Sequence, residues 1–432
     1  MKRALIAPVV GVALFAAVHR RVLAIKRERS WPPGPDAVTA DGALEATRAF
    51  NGGTRDAALE FAWSTAATLD PYVEGVNFFP RILADVEAAQ SSVHILMFGW
   101  REGEIGMRMA ELLERKLGEG VEVRAIVDAF GSKPYKQARE MFTRLADAGA
   151  QIVVNDLMPP DRDGLFPHGQ RLDRRQDELG RADHRKLYVV DGATAWTGGA
   201  GIEDHFENGG FHDLMVRVTG AVVRQMQAAF LTSFRGHGGP LPGDLAPYFP
   251  APDDPGEIPV ALAQVIPGGF VAASQAIEEQ IDAARERLDV MNPYLTDPGM
   301  IERIRSAATR GVKVRVVVSH TSNNAMATAA LRHRYASLYE AGVDVWELPG
   351  TVVHAKVVVA DDLVSFGTVN LDAWALYRNS EIMLLARSAE LAAQLEQELF
   401  APDIARCRRG APPATRRERF ESRLADRLAY YL

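Results

Sequence analysis

Between residues 78 and 400 the chain runs twice through the same alternation of short apolar stretches and longer amphipathic ones. Residues 93–98 are apolar enough for a buried strand. Ile105, Met109, Leu112, Leu113 and Leu117 then recur at the spacing of one helical face, and Gly120 stops that helix. A strand over 121–128, a helix over 137–148, a strand over 151–154 and a strand reaching Val218 continue the first half. The second half repeats the scheme. Ile277, Ile281, Ala284 and Leu288 mark a helical face, followed by a strand over 288–292, a helix over 300–309 and a strand over 312–318. A helix carrying Leu331, Tyr335, Leu338 and Tyr339 then leads into a strand over 343–346. Strands alternating with helices predict an α/β fold: two similar halves, each a mixed sheet flanked by helices.

Breaks in this pattern set the domain boundaries. Residues 78–236 and 260–400 form the two halves. Between them, residues 237–259 carry Pro240, Pro242, Pro247, Pro250, Pro252, Pro255 and Pro259 and read as a linker. Residues 30–77 open on Trp31-Pro32-Pro33-Gly34-Pro35 and show little periodicity, so they too read as a linker segment. Residues 1–29 place Lys2 and Arg3 before an uncharged apolar run over 4–18, then Arg20, Arg21, Lys26, Arg27 and Arg29. The run is short for a span of about 20 residues unless Arg20 and Arg21 snorkel to the interface. An uncleaved membrane anchor is the favoured reading; a signal peptide and an interfacial helix are the rivals. More basic charge follows the run than precedes it, which favours a cytoplasmic catalytic domain at the cell membrane. At the other end, within 401–432, Phe420, Leu424, Leu428 and Tyr431 share a helical face among Arg417, Arg419, Arg423 and Arg427. Such a basic amphipathic helix lies on an anionic membrane or docks on its own domain.

One stretch occurs in both halves. His184-Arg185-Lys186-Leu187-Tyr188-Val189-Val190-Asp191 is matched by His354-Ala355-Lys356-Val357-Val358-Val359-Ala360-Asp361. Thr197-Gly198-Gly199 and Gly367-Thr368-Val369-Asn370 follow at nearly the same distance. The residues after each Lys read as a buried strand, and on a strand residues two apart share a face. His184 and Lys186 therefore point together, as do His354 and Lys356. An ammonium beside an imidazole suits phosphate: the Lys holds an anionic oxygen while the His attacks or moves a proton. One such pair is weak evidence, since short motifs recur by chance. Two copies at matched places in two similar halves are strong evidence, and they predict a single active site at a pseudo-twofold interface.

These residues resemble the phospholipase D superfamily, whose signature is this paired His-x-Lys-x(4)-Asp, and the flanks look closest to bacterial cardiolipin synthases. Asn379-Ser380-Glu381, Gly120-Val121-Glu122-Val123-Arg124 and Gly311-Val312-Lys313-Val314-Arg315 add to the likeness. The resemblance implies covalent catalysis through a phosphohistidine, with His184 as nucleophile, His354 as acid and base, and Lys186 and Lys356 on the phosphoryl oxygens. It places Gly199 and Asn370 beside the phosphate and gives Asp191 and Asp361 structural ion-pair roles. It also implies that Glu381 orients His184 and Asp213 orients His354, each from the opposite half, with no metal or cofactor. Three departures stand out: Gly201 replaces an Asn, Asp183 stands where the subgroup often has Asn, and the turn before Gly367 is one residue shorter than that before Gly198.

Composition narrows the choice of function. A formal net charge of −7 gives no overall reason to bind nucleic acid, which argues against a nuclease on this fold. The single Cys407 excludes an internal disulfide and any cysteine-rich metal site. Residues 159–183 form a polar stretch with His168, Arg171, Arg174, Arg175 and Arg181, read as a solvated loop or as a phosphate-binding lip beside His184. The expected function is phosphatidyl transfer between phosphatidylglycerol molecules. Phospholipase D-type hydrolysis is the nearest alternative, and a non-catalytic membrane scaffold is disfavoured because both His-Lys pairs are intact.

Overall fold

The computed structural model describes residues 61–134, 137–155, 182–266 and 271–429. The expected membrane anchor at 1–29 and nearly all of the basic loop lie outside these residues. No described helix is long and apolar enough to cross a membrane.

In chain order the first strands are β1 (Phe61–Ala66), β2 (Thr68–Val73), β3 (Ser92–Met97), β4 (Glu122–Asp128), β5 (Gln151–Asn155), β6 (Lys186–Val190), β7 (Thr194–Gly198), β8 (Phe211–His212) and β9 (Leu214–Thr219). The rest are β10 (Ile258–Val265), β11 (Arg287–Met291), β12 (Lys313–Ser319), β13 (Asp344–Leu348), β14 (Val352–Val353), β15 (Val357–Ala360), β16 (Leu363–Gly367), β17 (Glu381–Arg387) and β18 (Arg408–Arg409). Among the described residues the two large sheets have the orders β2-β9-β7-β6-β3-β4-β5 and β1-β10-β17-β16-β15-β11-β12-β13-β18, and β8 pairs with β14 in a third. Leaving out β1 and β18, the two orders superpose strand for strand. Each half has a parallel β-α-β-α-β run whose first strand also pairs antiparallel with the motif strand, β3 with β6 and β11 with β15.

The motif strands are buried on both faces, and their side chains alternate as the pleat requires. Leu187 and Val189 of β6 join Val357 and Val359 of β15 in one core between the sheets. Tyr188 and Val190 turn outward to the helices of the first half, and Val358 and Ala360 to those of the second. The helix Val222–Gly236 contributes Met226, Phe230 and Phe234 to the shared core, so the halves cannot part without exposing it.

Several boundaries read from the sequence move. Residues 61–77 are not linker: β1 adds to the edge of the second-half sheet beside β10, and β2 to the edge of the first beside β9. Pro71 in β2 hid that strand, since proline belongs on sheet edges rather than in central strands. The Pro-rich segment packs rather than tethers. It buries Leu245, Tyr248 and Phe249, and the Tyr248 hydroxyl accepts from Arg124 and donates to Glu122. The helix expected through Leu288 ends at Ala283, and Leu288 lies in β11. The C-terminal helix Arg416–Leu428 docks through Ser422, Ala425 and Ala429, leaving Phe420 and Leu424 exposed.

Candidate active site

The two motif histidines line one cleft of about 630 Å³, together with Lys186 and Asn370. Each imidazole is held by the half that does not carry it. His184 Nδ1 lies 3.0 Å from both carboxylate oxygens of Glu381, and His354 Nδ1 lies 2.7 Å from Asp213 Oδ2. The backbone repeats the exchange. His184 N donates to Ser380 O at 2.9 Å, and His354 N donates to His212 O at 2.7 Å. In each case the accepting carbonyl belongs to the residue just before the carboxylate. The parallel pairing of β8 with β14 and the bridge between Asp183 and Ser380 carry these contacts across the interface.

The carboxylates hold each ring at Nδ1, and Lys356 Nζ lies 2.8 Å from His354 Nδ1 and 3.2 Å from its Nε2. Burial, reinforced by the ammoniums of Lys186 and Lys356, holds His184 well below its ordinary value. Burial and Lys356 bring His354 down to about 3. Both rings are therefore neutral near pH 7, as a nucleophilic imidazole must be. Burial also lowers Lys186 to about 8 and Lys356 to about 7, and the carboxyl groups of Glu381 and Asp213 offset only part of that. Lys186 Nζ donates to His184 O at 2.6 Å, and Lys356 Nζ donates to His354 O at 2.5 Å, which anchors each ammonium beside its imidazole.

The supporting carboxylates differ. Burial would raise Asp213, but the His354 bond and Lys356 outweigh it and hold that carboxyl below its ordinary range. Glu381 is pushed up to about 8 by burial, with Lys186 and the Thr368 hydroxyl offsetting only part of the effect. Gly199 makes room for Asp213: a Cβ there would sit 2.4 Å from Asp213 Oδ1 and 2.8 Å from His354 O. Asn370 faces the cleft with its amide oxygen unpartnered among the described residues, free for a polar ligand.

Asp191 and Asp361 stand at the far ends of the motif strands, outside the cleft lining. Among the described residues neither forms an ion pair. Both adopt left-handed backbone, φ 54° and 55°, at the hairpin turns, a conformation that Asp tolerates better than most residues. Asp191 accepts the backbone N–H groups of Gln90, Ser91 and Ser92; Asp361 accepts those of Arg285, Glu286 and Arg287. They tie the end of each motif strand to the loop entering β3 or β11.

The departures also have local causes. Gly201 cannot be Asn, because a Cβ would lie 2.6 Å from Gly99 O. Asp183 binds the buried Arg185 through bonds of 2.8 and 2.6 Å, and its own backbone N–H donates to Asp128 Oδ2 at 2.9 Å. The hairpin loops hold three residues between Val190 and Thr194 but two between Ala360 and Leu363.

Other cleft residues escaped the sequence reading. Phe98 lies edge-on to His184 at 4.7 Å, and Phe206 and Phe211 flank His354 at 5.2 and 5.3 Å. Arg101, Phe130, Glu203, His205, Tyr294, Asp372 and Trp374 also line the cleft. Phe98, Phe130 and Tyr294 follow the carboxyl ends of β3, β4 and β11, where open α/β sheets place their ligands. That rule was the available signal.

Comparison with known proteins agrees with this geometry. Residues 277–401 match a family model described as cardiolipin synthase, PLD-like domain. A cardiolipin synthase of Listeria welshimeri is 28% identical over 345 residues, covering 77% of this chain and 68% of the relative. The major cardiolipin synthase ClsA of Bacillus subtilis is 25% identical over 341 residues, covering 76% of this chain and 67% of the relative. Among solved structures, a phosphatidylserine synthase of Haemophilus influenzae aligns with a TM-score of 0.61 at 14% identity, over 90% of this chain and 100% of that one. That likeness speaks for the fold. In motifs, topology and these relatives the chain is similar to enzymes of the phospholipase D superfamily, with both half-sites on one polypeptide.

Proposed function

We propose that the protein is a phosphatidyltransferase of the cardiolipin synthase type, joining two phosphatidylglycerol molecules with release of glycerol through a phosphohistidine. The observation that carries this reading is the crossed support of two neutral imidazoles in one cleft, His184 by Glu381 and His354 by Asp213. His184 Nε2 attacks phosphorus as the P–O bond to the leaving glycerol breaks. His354 gives that oxygen its proton. The bound diester anion raises His354 for this task by offsetting Lys356. The second alcohol then attacks: its proton passes to His354 Nε2, a new P–O bond forms, and the P–N bond returns its electron pair to His184. Lys186, Lys356 and Asn370 bear on the phosphoryl oxygens where negative charge develops, while Glu381 and Asp213 act as positioning residues.

The relatives named above and the apolar run at 4–18 support a membrane setting, as does the docked helix Arg416–Leu428, which presents Phe420 and Leu424 among arginines. The test is to incubate detergent-solubilised protein with labelled phosphatidylglycerol. Cardiolipin and glycerol from wild type, and neither from His184→Ala or His354→Ala, is the expected result. Phosphatidic acid as the main product would instead make the protein a hydrolase, and a nicked oligonucleotide without any lipid product would make it a nuclease.

A further inference from the structure

The two halves use one matched position differently. Counted from Gly198 and Gly367, Glu203 corresponds to Asp372, and each is the N-cap residue of a short helix. The Asp372 carboxylate turns back on its own helix and accepts the N–H groups of Trp374 at 2.8 Å and Ala375 at 2.9 Å. Glu203, one methylene longer, makes no cap bond. Its carboxylate instead meets Arg101 Nε at 2.6 Å and, on its own helix, His205 Nε2 at 3.1 Å.

A tie between loops does not explain this cluster. The same segments are already joined by backbone bonds, Arg101 N to Ile202 O at 3.1 Å and Ile202 N to Gly99 O at 2.8 Å. All three side chains open on the cleft instead. The Glu203 side chain is 12% exposed, while those of His205 and Arg101 are 39% and 44% exposed. Burial alone would raise the Glu203 carboxyl, but His205, Arg101 and Lys186 outweigh it and hold it below its ordinary value. The cluster thus offers a charged acceptor flanked by two donors.

Its position assigns it a side of the reaction. The rings of Phe206 and Phe211 lie 4.5 and 4.2 Å from the His205 ring, and the same two rings flank His354. The cluster therefore neighbours the imidazole that handles the alcohol proton. A vicinal diol matches it: one hydroxyl donates to a carboxylate while the next accepts from a guanidinium or imidazole.

We propose that Arg101, Glu203 and His205 form a polyol subsite that selects the alcohol leaving from and returning to phosphorus. This rests on the phosphatidyltransferase reading. In the returning step the alcohol oxygen bonds to phosphorus, its proton goes to His354 Nε2, and the P–Nε2 bond to His184 breaks with its electron pair returning to that nitrogen.

The test offers the full-length protein phosphatidylglycerol in detergent micelles with equal concentrations of deuterated glycerol and 1-propanol. Mass spectrometry then compares deuterated phosphatidylglycerol with phosphatidylpropanol. Wild type is expected to favour glycerol. Glu203→Gln and His205→Asn are each expected to lower the glycerol-to-propanol ratio by about tenfold or more, since a site built to bind a hydroxyl discriminates strongly against an alcohol that lacks it. Both products arise from one enzyme intermediate, so the ratio does not depend on how much protein folds. A wild type indifferent to the two alcohols, or a ratio unmoved in both variants, overturns the subsite. A wild type that makes no product from phosphatidylglycerol overturns the underlying activity, and the subsite with it.

Discussion

At the turn after β7 the first half-site carries Gly199; at the matching turn after β16 the second carries Thr368. Asp213 is short, so its carboxylate lies against the backbone, and only glycine leaves space there. Glu381 reaches one methylene further, which admits a side chain behind it, and Thr368 Oγ1 donates to its carboxylate at 2.5 Å. The residues before the carboxylates differ as well. His212 is buried between Glu74 and Asp403, while its counterpart Ser380 is a small neutral residue. One topology thus holds the carboxyl under His354 below its ordinary value and lifts the one under His184 to about 8. The difference teaches that the halves are duplicated in architecture and divided in labour.

The strongest way to break the comparison is to remove the rings. His184→Ala and His354→Ala are each expected to cut turnover by about 10⁴-fold or more, the scale seen when one member of a catalytic unit is lost. Rapid quench into alkaline denaturant, which spares the acid-labile P–N bond, should leave phosphorus label from the lipid on His354→Ala and none on His184→Ala. Label on His184→Ala would reverse the assigned roles.

The carboxylates come next. Asp213→Asn removes a charge that the imidazolium of His354 needs, and about a 10³- to 10⁴-fold loss is expected. Glu381→Gln replaces a carboxyl already lifted to about 8, so about a 10²-fold loss is expected. Steady-state rates at pH 7 decide this, and equal losses would erase the distinction between the half-sites.

His212 offers a measurement of stability. Asp403 and Glu74 overcome the opposing effect of burial and raise its imidazole to about 9. Because the folded value exceeds that of the unfolded chain, its stabilisation is complete below pH about 6.5 and is lost as pH rises through about 9. Urea unfolding should show wild type losing on the order of 3 kcal/mol more than His212→Gln between pH 6 and 9.5. Parallel pH profiles would mean that Glu74 and Asp403 do not hold a charged His212.

The smallest effects sit at the turn itself. Gly199→Ala overpacks Asp213 and is expected to cost about 1–3 kcal/mol, and Thr368→Val loses the buried bonds of Oγ1 to Glu381 and from Ile382 N, worth about 1 kcal/mol each. Thermal midpoints measure both; a Gly199→Ala protein as stable as wild type would mean that the glycine is not there to make room.

What the sequence determined by itself was local or repeated. Apolar spacing gave the alternation of strands and helices because neighbours at periods of two and 3.6 share a face. The doubled His-x-Lys with its small-residue turns disclosed two half-sites because chemistry of this kind needs few residues at short spacing. Likeness to a known family extended that reading to Asp213 and Glu381. Tertiary structure decided the rest. It placed Glu381 on His184 across 197 residues and Asp213 on His354 across 141, contacts set by how two sheets pack. The same packing added β1 to the opposite half's sheet, turned Asp191 and Asp361 to backbone amides, and sent Glu203 into the cleft where Asp372 caps its helix. Side chains of one type at equivalent positions find different partners, because the partner is supplied by whichever segment folding brings alongside.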